Sequence, residues 1–196
     1  LFRSYLSGFT GSNACLLISK NSSHLYTDSR YEIQAANEVS EFEVLVSQDI
    51  WTQVCRSISS KILRVESKHL TLDRLNFIKG LVPAIEIMES LDLVEKQRLI
   101  KDHKEILAIK RACEISTQAL NNLTKTKLTG QSEIQVATWL EREMIDLGAS
   151  DKAFNTIVAS GENSAIPHHQ PTKRQISKGD LLKIDFGAQF EGYKSD

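Results

Sequence analysis

Two aspartates and a pair of histidines in the last third of the chain have the types and spacing for metal or acid/base chemistry. Asp185 stands in the apolar run Leu181-Leu182-Lys183-Ile184-Asp185-Phe186, and Asp196 follows eleven residues later. Side chains alternate along a strand, so Leu182, Ile184 and Phe186 share one face, while Asp185 and Gly187 share the other. Glu191-Gly192 has the residue types of a two-residue hairpin turn, a weaker relative of Asp-Gly. A turn there pairs Phe190 with Tyr193 and, counted outward, sets Asp196 opposite Gly187. The two carboxylates then lie one diagonal step apart, roughly 5.5–8 Å between Cβ atoms. Over that span they can share a pair of cations about 3.5–4 Å apart. Gly187, with no side chain, is expected to leave the space between them open. The alternative is a surface hairpin with two solvated aspartates. An unpaired charge flanked by Ile184 and Phe186, in a strand apolar enough to be central, is costly, which favours metal binding.

Upstream, Ser160-Gly161-Glu162-Asn163-Ser164-Ala165-Ile166-Pro167-His168-His169 is a loop dense in small and polar residues, the kind that carries ligand-contacting groups on a rigid scaffold. Its two histidines fit metal ligation, acid/base work or a merely polar loop. In an extended segment they point opposite ways, so at most one faces the aspartates. The segment from Lys173 to Gly179 leads directly into the Asp185 strand, which brings the loop close. There is no GxSxG elbow and no HExxH motif, so serine-hydrolase and zincin readings lack support.

The elements that must position these groups follow from periodicity. Residues 1–13 read as a loop. Strands are expected over Ala14–Ser19, His24–Thr27, Phe42–Ser47, Ile62–Glu66 and Ala84–Met88. Between them lie helices over Arg30–Glu38 (capped by Asp28-Ser29), Asp49–Ser59 and Thr71–Leu81. Alternation of this kind makes an α/β domain with a mixed sheet and flanking helices. The charged stretch between Ser90 and Asp102 marks a boundary, giving domains of residues 1–95 and 96–196. Beyond it, Ile106, Ile109, Cys113, Leu120 and Leu123 recur at helical spacing over His103–Asn122. Ser132 to Gln135 fits a capping box for a helix whose stripe is Ala137, Leu140, Met144 and Leu147, stopped by Gly148. A strand over Phe154–Ala159 and the closing hairpin complete an α+β domain, its helices covering one side of a mostly antiparallel sheet.

The whole chain sets bounds. It has 196 residues, 41% hydrophobic and 25% charged, with net charge -1 and both signs interspersed. It has material for a core and no basic field to recruit nucleic acid or an anionic membrane. Cys15, Cys55 and Cys113 are odd in number and far apart, and read as reduced core thiols in a cytoplasmic protein. No apolar run is long enough to span a bilayer, and no signal peptide is evident. The chain begins at Leu1 without Met and stops at Asp196 inside an apparent strand, so both ends read as cuts.

FNTIVASGENSAIPHHQPT followed by KGDLLKIDFGAQFEGYKSD resembles the pita-bread metallopeptidases, specifically the Xaa-Pro aminopeptidase and Xaa-Pro dipeptidase (prolidase) group. LIKDHKEILAIKRACEIS resembles the start of their catalytic domain, and YLSGFTGSNACLLIS with LYTDSRYEIQAANE resembles the creatinase-type N-terminal domain before it. The resemblance implies that Asp185 and Asp196 are ligands of a dinuclear site and that His168 contacts substrate and stabilises the reacting centre, with His169 unassigned. It implies two divalent ions, Mn²⁺ foremost with Co²⁺ or Zn²⁺ as the other candidates, a peptide substrate with proline second, and a homodimer. The family completes its site with a downstream histidine and two glutamates. This chain alone is therefore expected to bind metal weakly and to lack peptidase activity. The competing readings are a prolidase and, from another class, a non-catalytic binding module on the same fold.

Overall fold

The computed structural model describes residues 2–196, which divide between Leu99 and Ile100 into two compact units. In the first, the elements run α1 (Phe2–Ser7), β1 (Ala14–Ile18), β2 (Ser23–Thr27), α2 (Glu32–Glu38), β3 (Glu43–Val46), α3 (Ile50–Ser57), β4 (Ile62–Glu66), α4 (Leu72–Leu81), β5 (Glu86–Ser90) and α5 (Leu93–Leu99). The order β1-β2-β3 is antiparallel then parallel, and β4 pairs parallel with β5. The expected mixed sheet is thus present, as two sheets among the described residues.

Central strand β2 is buried on both faces, and its period of two sorts the core. Leu25 packs with Phe9 and with Ala35 of α2, while its neighbour Tyr26 packs with Ile50 and Val54 of α3. Helices therefore cover opposite faces of the sheet. The expected loop over residues 1–13, of which Leu1 lies outside the described residues, contains helix α1 instead. Tertiary partners sustain so short a helix: the Arg3 guanidinium donates to the carbonyls of Gly11 and Ala14 and lies over the Phe9 ring at 5.4 Å. Asp28 caps a 3-10 turn over Ser29–Tyr31, one turn ahead of α2.

The second unit holds α6 (His103–Leu123), α7 (Glu133–Asp146), β6 (Asp151–Lys152), β7 (Ile157–Ser160), β8 (Leu182–Asp185), β9 (Ala188–Phe190) and β10 (Tyr193–Lys194). Every described strand pair is antiparallel, in the orders β10-β9-β6 and β7-β8. Capping boxes open both long helices, Ser132 with Gln135 as expected and Asp102 with Glu105 in addition. The α7 stripe of Ala137, Leu140 and Met144 is buried as read, and Leu182, Ile184 and Phe186 pack on the same core.

The expected inner face of α6 needs correction. Ile106, Cys113 and Leu120 are exposed, and the buried positions are Glu105, Ala108, Ala112, Ile115, Ser116, Ala119 and Leu123. Small residues let this helix approach the strands closely, so alanines mark its inner face better than the large apolar residues do. Cys113 is accordingly a free surface thiol, not a core one. No helix among the described residues is long and apolar enough to cross a membrane.

Candidate functional site

The closing hairpin is built as its sequence dictates. Glu191 and Gly192 have φ of 48° and 81°, the pair of positive values that a type I′ turn requires. Phe190 pairs with Tyr193 and Gln189 with Lys194. One step further, the Ser195 N–H donates to the Ala188 carbonyl at 2.9 Å and the Ser195 Oγ accepts from the Ala188 N–H at 2.9 Å. Ser195 Oγ also donates to Ser116 Oγ at 3.0 Å, tying the end of the hairpin to α6.

Gly187 does not leave an opening between the aspartates. A Cβ there would stand 2.3 Å from the Ser195 carbonyl oxygen and 3.0 Å from the Ala153 Cβ. Glycine is required because backbone crosses against backbone, and that crossing carries the chain on to Asp196. Gly187→Ala is expected to cost about 1–3 kcal/mol through overpacking and to displace Asp196. Denaturant unfolding of the variant, with a Mn²⁺ titration alongside, checks both effects.

Asp185 also departs from expectation in one respect. Its strand β8 pairs with β7 alone among the described residues, and its carboxylate is exposed, so no burial cost attaches to its charge. What singles it out is its surroundings. Asp185 and Asp196 line one open cavity of about 340 Å³, together with Ile184, Phe186 and, from α6, Ser116, Thr117 and Leu120. Neither carboxylate has a hydrogen-bond or ion-pair partner among the described residues. Two unpartnered carboxylates facing one cavity suit a hard or borderline divalent cation. No group of three or more His, Cys, Asp or Glu side chains arranged to hold a metal exists among the described residues. The pair by itself falls short of such a group.

His168 and His169 do point to different environments: the first is exposed and the second buried. The loop that carries them follows β7 through a 3-10 turn at Gly161–Ala165. Lys183, on the Asp185 face of β8, reaches back with Nζ to the carbonyls of Ile166 and Pro167. This holds the backbone just before His168 against the strand that ends in Asp185.

The residue that sequence reasoning missed is Glu133, the first of α7. Its carboxylate is fully buried. It accepts from Ser160 N–H at 2.7 Å, Ser160 Oγ at 2.8 Å and Asn163 Nδ2 at 3.0 Å on one oxygen. The other takes His169 Nε2 at 2.8 Å, Thr172 N–H at 2.9 Å and Thr172 Oγ1 at 2.7 Å. Burial pushes this carboxyl's pKa up, but the hydrogen bonds from His169, Thr172, Asn163 and Ser160 outweigh it and hold the group well below the usual carboxylate range. An acidic residue in the first turn of a helix is common for dipole reasons alone, so Glu133 carried no distinctive signal.

Comparison with known proteins gives this geometry a context. Residues 3–100 match the creatinase/prolidase N-terminal domain, and residues 108–196 match metallopeptidase family M24. Among solved structures, an Xaa-Pro dipeptidase from Bacillus anthracis superposes with a TM-score of 0.92 at 35% identity, covering 100% of this chain and 56% of that one. An X-Pro aminopeptidase from Thermotoga maritima gives 0.91 at 36%, covering 99% and 56%. An Xaa-Pro dipeptidase of Pyrococcus horikoshii is 32% identical over 98% of this chain and 54% of its own length. The chain spans about half the length of the relatives it matches. With a creatinase/prolidase N-terminal domain followed by part of a pita-bread domain, the chain belongs to metallopeptidase family M24.

Proposed function

We propose that the full-length protein is a cytoplasmic, homodimeric Xaa-Pro aminopeptidase that cleaves peptides with proline at the second position. The observation that carries the reading is the pair Asp185 and Asp196, both unpartnered and both on one cavity, in a chain of this family. Asp185 and Asp196 would hold divalent cations, Mn²⁺ foremost, at a dinuclear site completed by residues beyond this pair. Such ions supply Lewis acidity and a nucleophile at neutral pH. His168 would contact the substrate and stabilise charge as the peptide bond breaks, a role supported by its exposure and by the tether from Lys183 to the backbone just before it. The open cavity beside Phe186 and Leu120 leaves room for the substrate's reacting end.

The test is the full-length protein with Mn²⁺ on Xaa-Pro dipeptides and Xaa-Pro-Yaa tripeptides. Faster turnover of the tripeptides supports the aminopeptidase. Cleavage of dipeptides alone makes the protein a prolidase, and hydrolysis of neither sinks the peptidase reading in favour of a binding module. The 196-residue chain alone, having two ligand carboxylates, is expected to bind Mn²⁺ weakly by calorimetry and to show no turnover. Efficient turnover by this chain would overturn the ligand count.

A further inference from the structure

We propose that Glu133 is a positioning residue for His168, clamping both shoulders of the 160–172 loop so that the exposed imidazole is presented on the Asp185 face of β8. This rests on the reading of His168 as an active-site group. Between Ala165 and Leu182 the backbone has no helix or strand, only an isolated bridge from Gln175 to Ser132. Backbone N–H groups of Ile134 and Glu133 hold the carbonyls of Thr172 and Arg174, each at 3.1 Å, while around the two histidines the side-chain hydrogen bonds converge on one carboxylate. Ser160 and Asn163 precede His168, His169 and Thr172 follow it, and all four donate to Glu133.

The geometry of that convergence is what makes it a clamp. Six hydrogen bonds to two oxygens exhaust the acceptor capacity of a carboxylate, leaving it no alternative arrangement. The His169 ring is fixed inward at 2.8 Å from Glu133, and its neighbour His168 faces outward. Orientation of the one thus constrains the other across a single peptide unit. Arg174 braces the same cluster from the far side, donating to Ser160 Oγ at 2.7 Å and pairing with Asp180 at 2.6 Å. Lys183 adds the tether to β8 through Ile166 and Pro167. Glu133 itself is rigid, because the Ser132 capping box fixes the first turn of α7.

A double-mutant cycle in the full-length protein separates positioning from mere support. With Mn²⁺ and an Xaa-Pro-Yaa tripeptide, Glu133→Gln is expected to lower kcat about 10–100-fold, as loss of a supporting shell does, with little change in KM. In a His168→Ala background the same substitution is expected to cost less than about twofold, because its target is gone. Equal losses in both backgrounds would overturn the proposal. Hydrogen exchange on the same proteins gives a readout independent of activity. Residues 161–172 are expected to exchange at least tenfold faster in Glu133→Gln while α6 is unchanged, and unaltered exchange in that loop also overturns it. A wild-type protein that hydrolyses no Xaa-Pro peptide refutes the peptidase reading, and the exchange result then decides the clamp by itself.

Discussion

Asp185→Asn in the full-length protein is expected to lower hydrolysis of Xaa-Pro peptides by more than about a hundredfold. Loss of groups one shell further from a metal already costs about 10–100-fold, and a direct ligand contributes more. Asn keeps the size and one acceptor oxygen but removes the ligand charge that strengthens binding of a divalent cation. Because Asp185 is exposed and unpartnered among the described residues, folding stability should stay within about 0.5 kcal/mol of wild type. The measurement is kcat/KM at saturating Mn²⁺ beside a denaturant melt. Activity within a few-fold of wild type would remove Asp185 from the metal site. Asp196→Asn should behave in the same way, since the two carboxylates share one cavity.

Glu133→Ala should do the reverse, with its primary effect on folding. The substitution strands the N–H of Ser160 and Thr172, their hydroxyls, the Asn163 amide and the His169 ring in a buried site without their acceptor. Removing one partner of a buried charged network costs about 3–5 kcal/mol. For a unit the size of the second one, that lowers Tm by more than about 10 °C. The pH dependence has a definite sign. The folded pKa of Glu133 lies below its unfolded value, near 4.3 for a free glutamate. Its stabilisation is then fully present above that unfolded value and is lost as pH falls from there toward the folded one. The gap in unfolding free energy between wild type and Glu133→Gln should therefore be widest at neutral pH and narrow below about pH 4. A gap that is constant from pH 7 to pH 3 would show that the Glu133 pKa is not lowered in the fold.

Asp185 and Glu133 mark the two sides of what is legible in the sequence. The hairpin could be read because its determinants are local: period two over Leu182–Phe186, and a Glu191-Gly192 turn with side chains pairing outward from it. Its finer fit could not, since the crossing at Gly187 depends on a Ser195 carbonyl and the Ala153 Cβ from a separate strand region. The α6 face was misread because apolar periodicity weights large residues, whereas close packing there selects Ala108, Ala112 and Ala119. Helix α1 was invisible because its support comes from Arg3 reaching across to Gly11 and Ala14. Glu133 was invisible for the same kind of reason: its partners lie 27 to 39 residues away.

That contrast in sequence separation bears on the order in which the chain folds. A β-hairpin closes in about 1–10 μs, and the Glu191-Gly192 turn lies between the two aspartates. Asp185 and Asp196 can thus be brought toward each other early, by local chain closure alone. Contacts across 27 to 39 residues carry a larger loop-closure entropy and form later, with the docking of α7 on β7. In kinetic terms the carboxylate pair belongs to a fast local step and the His168 loop to a slow one, so mutations at Glu133 should leave the hairpin's φ-values untouched while retarding consolidation of the loop.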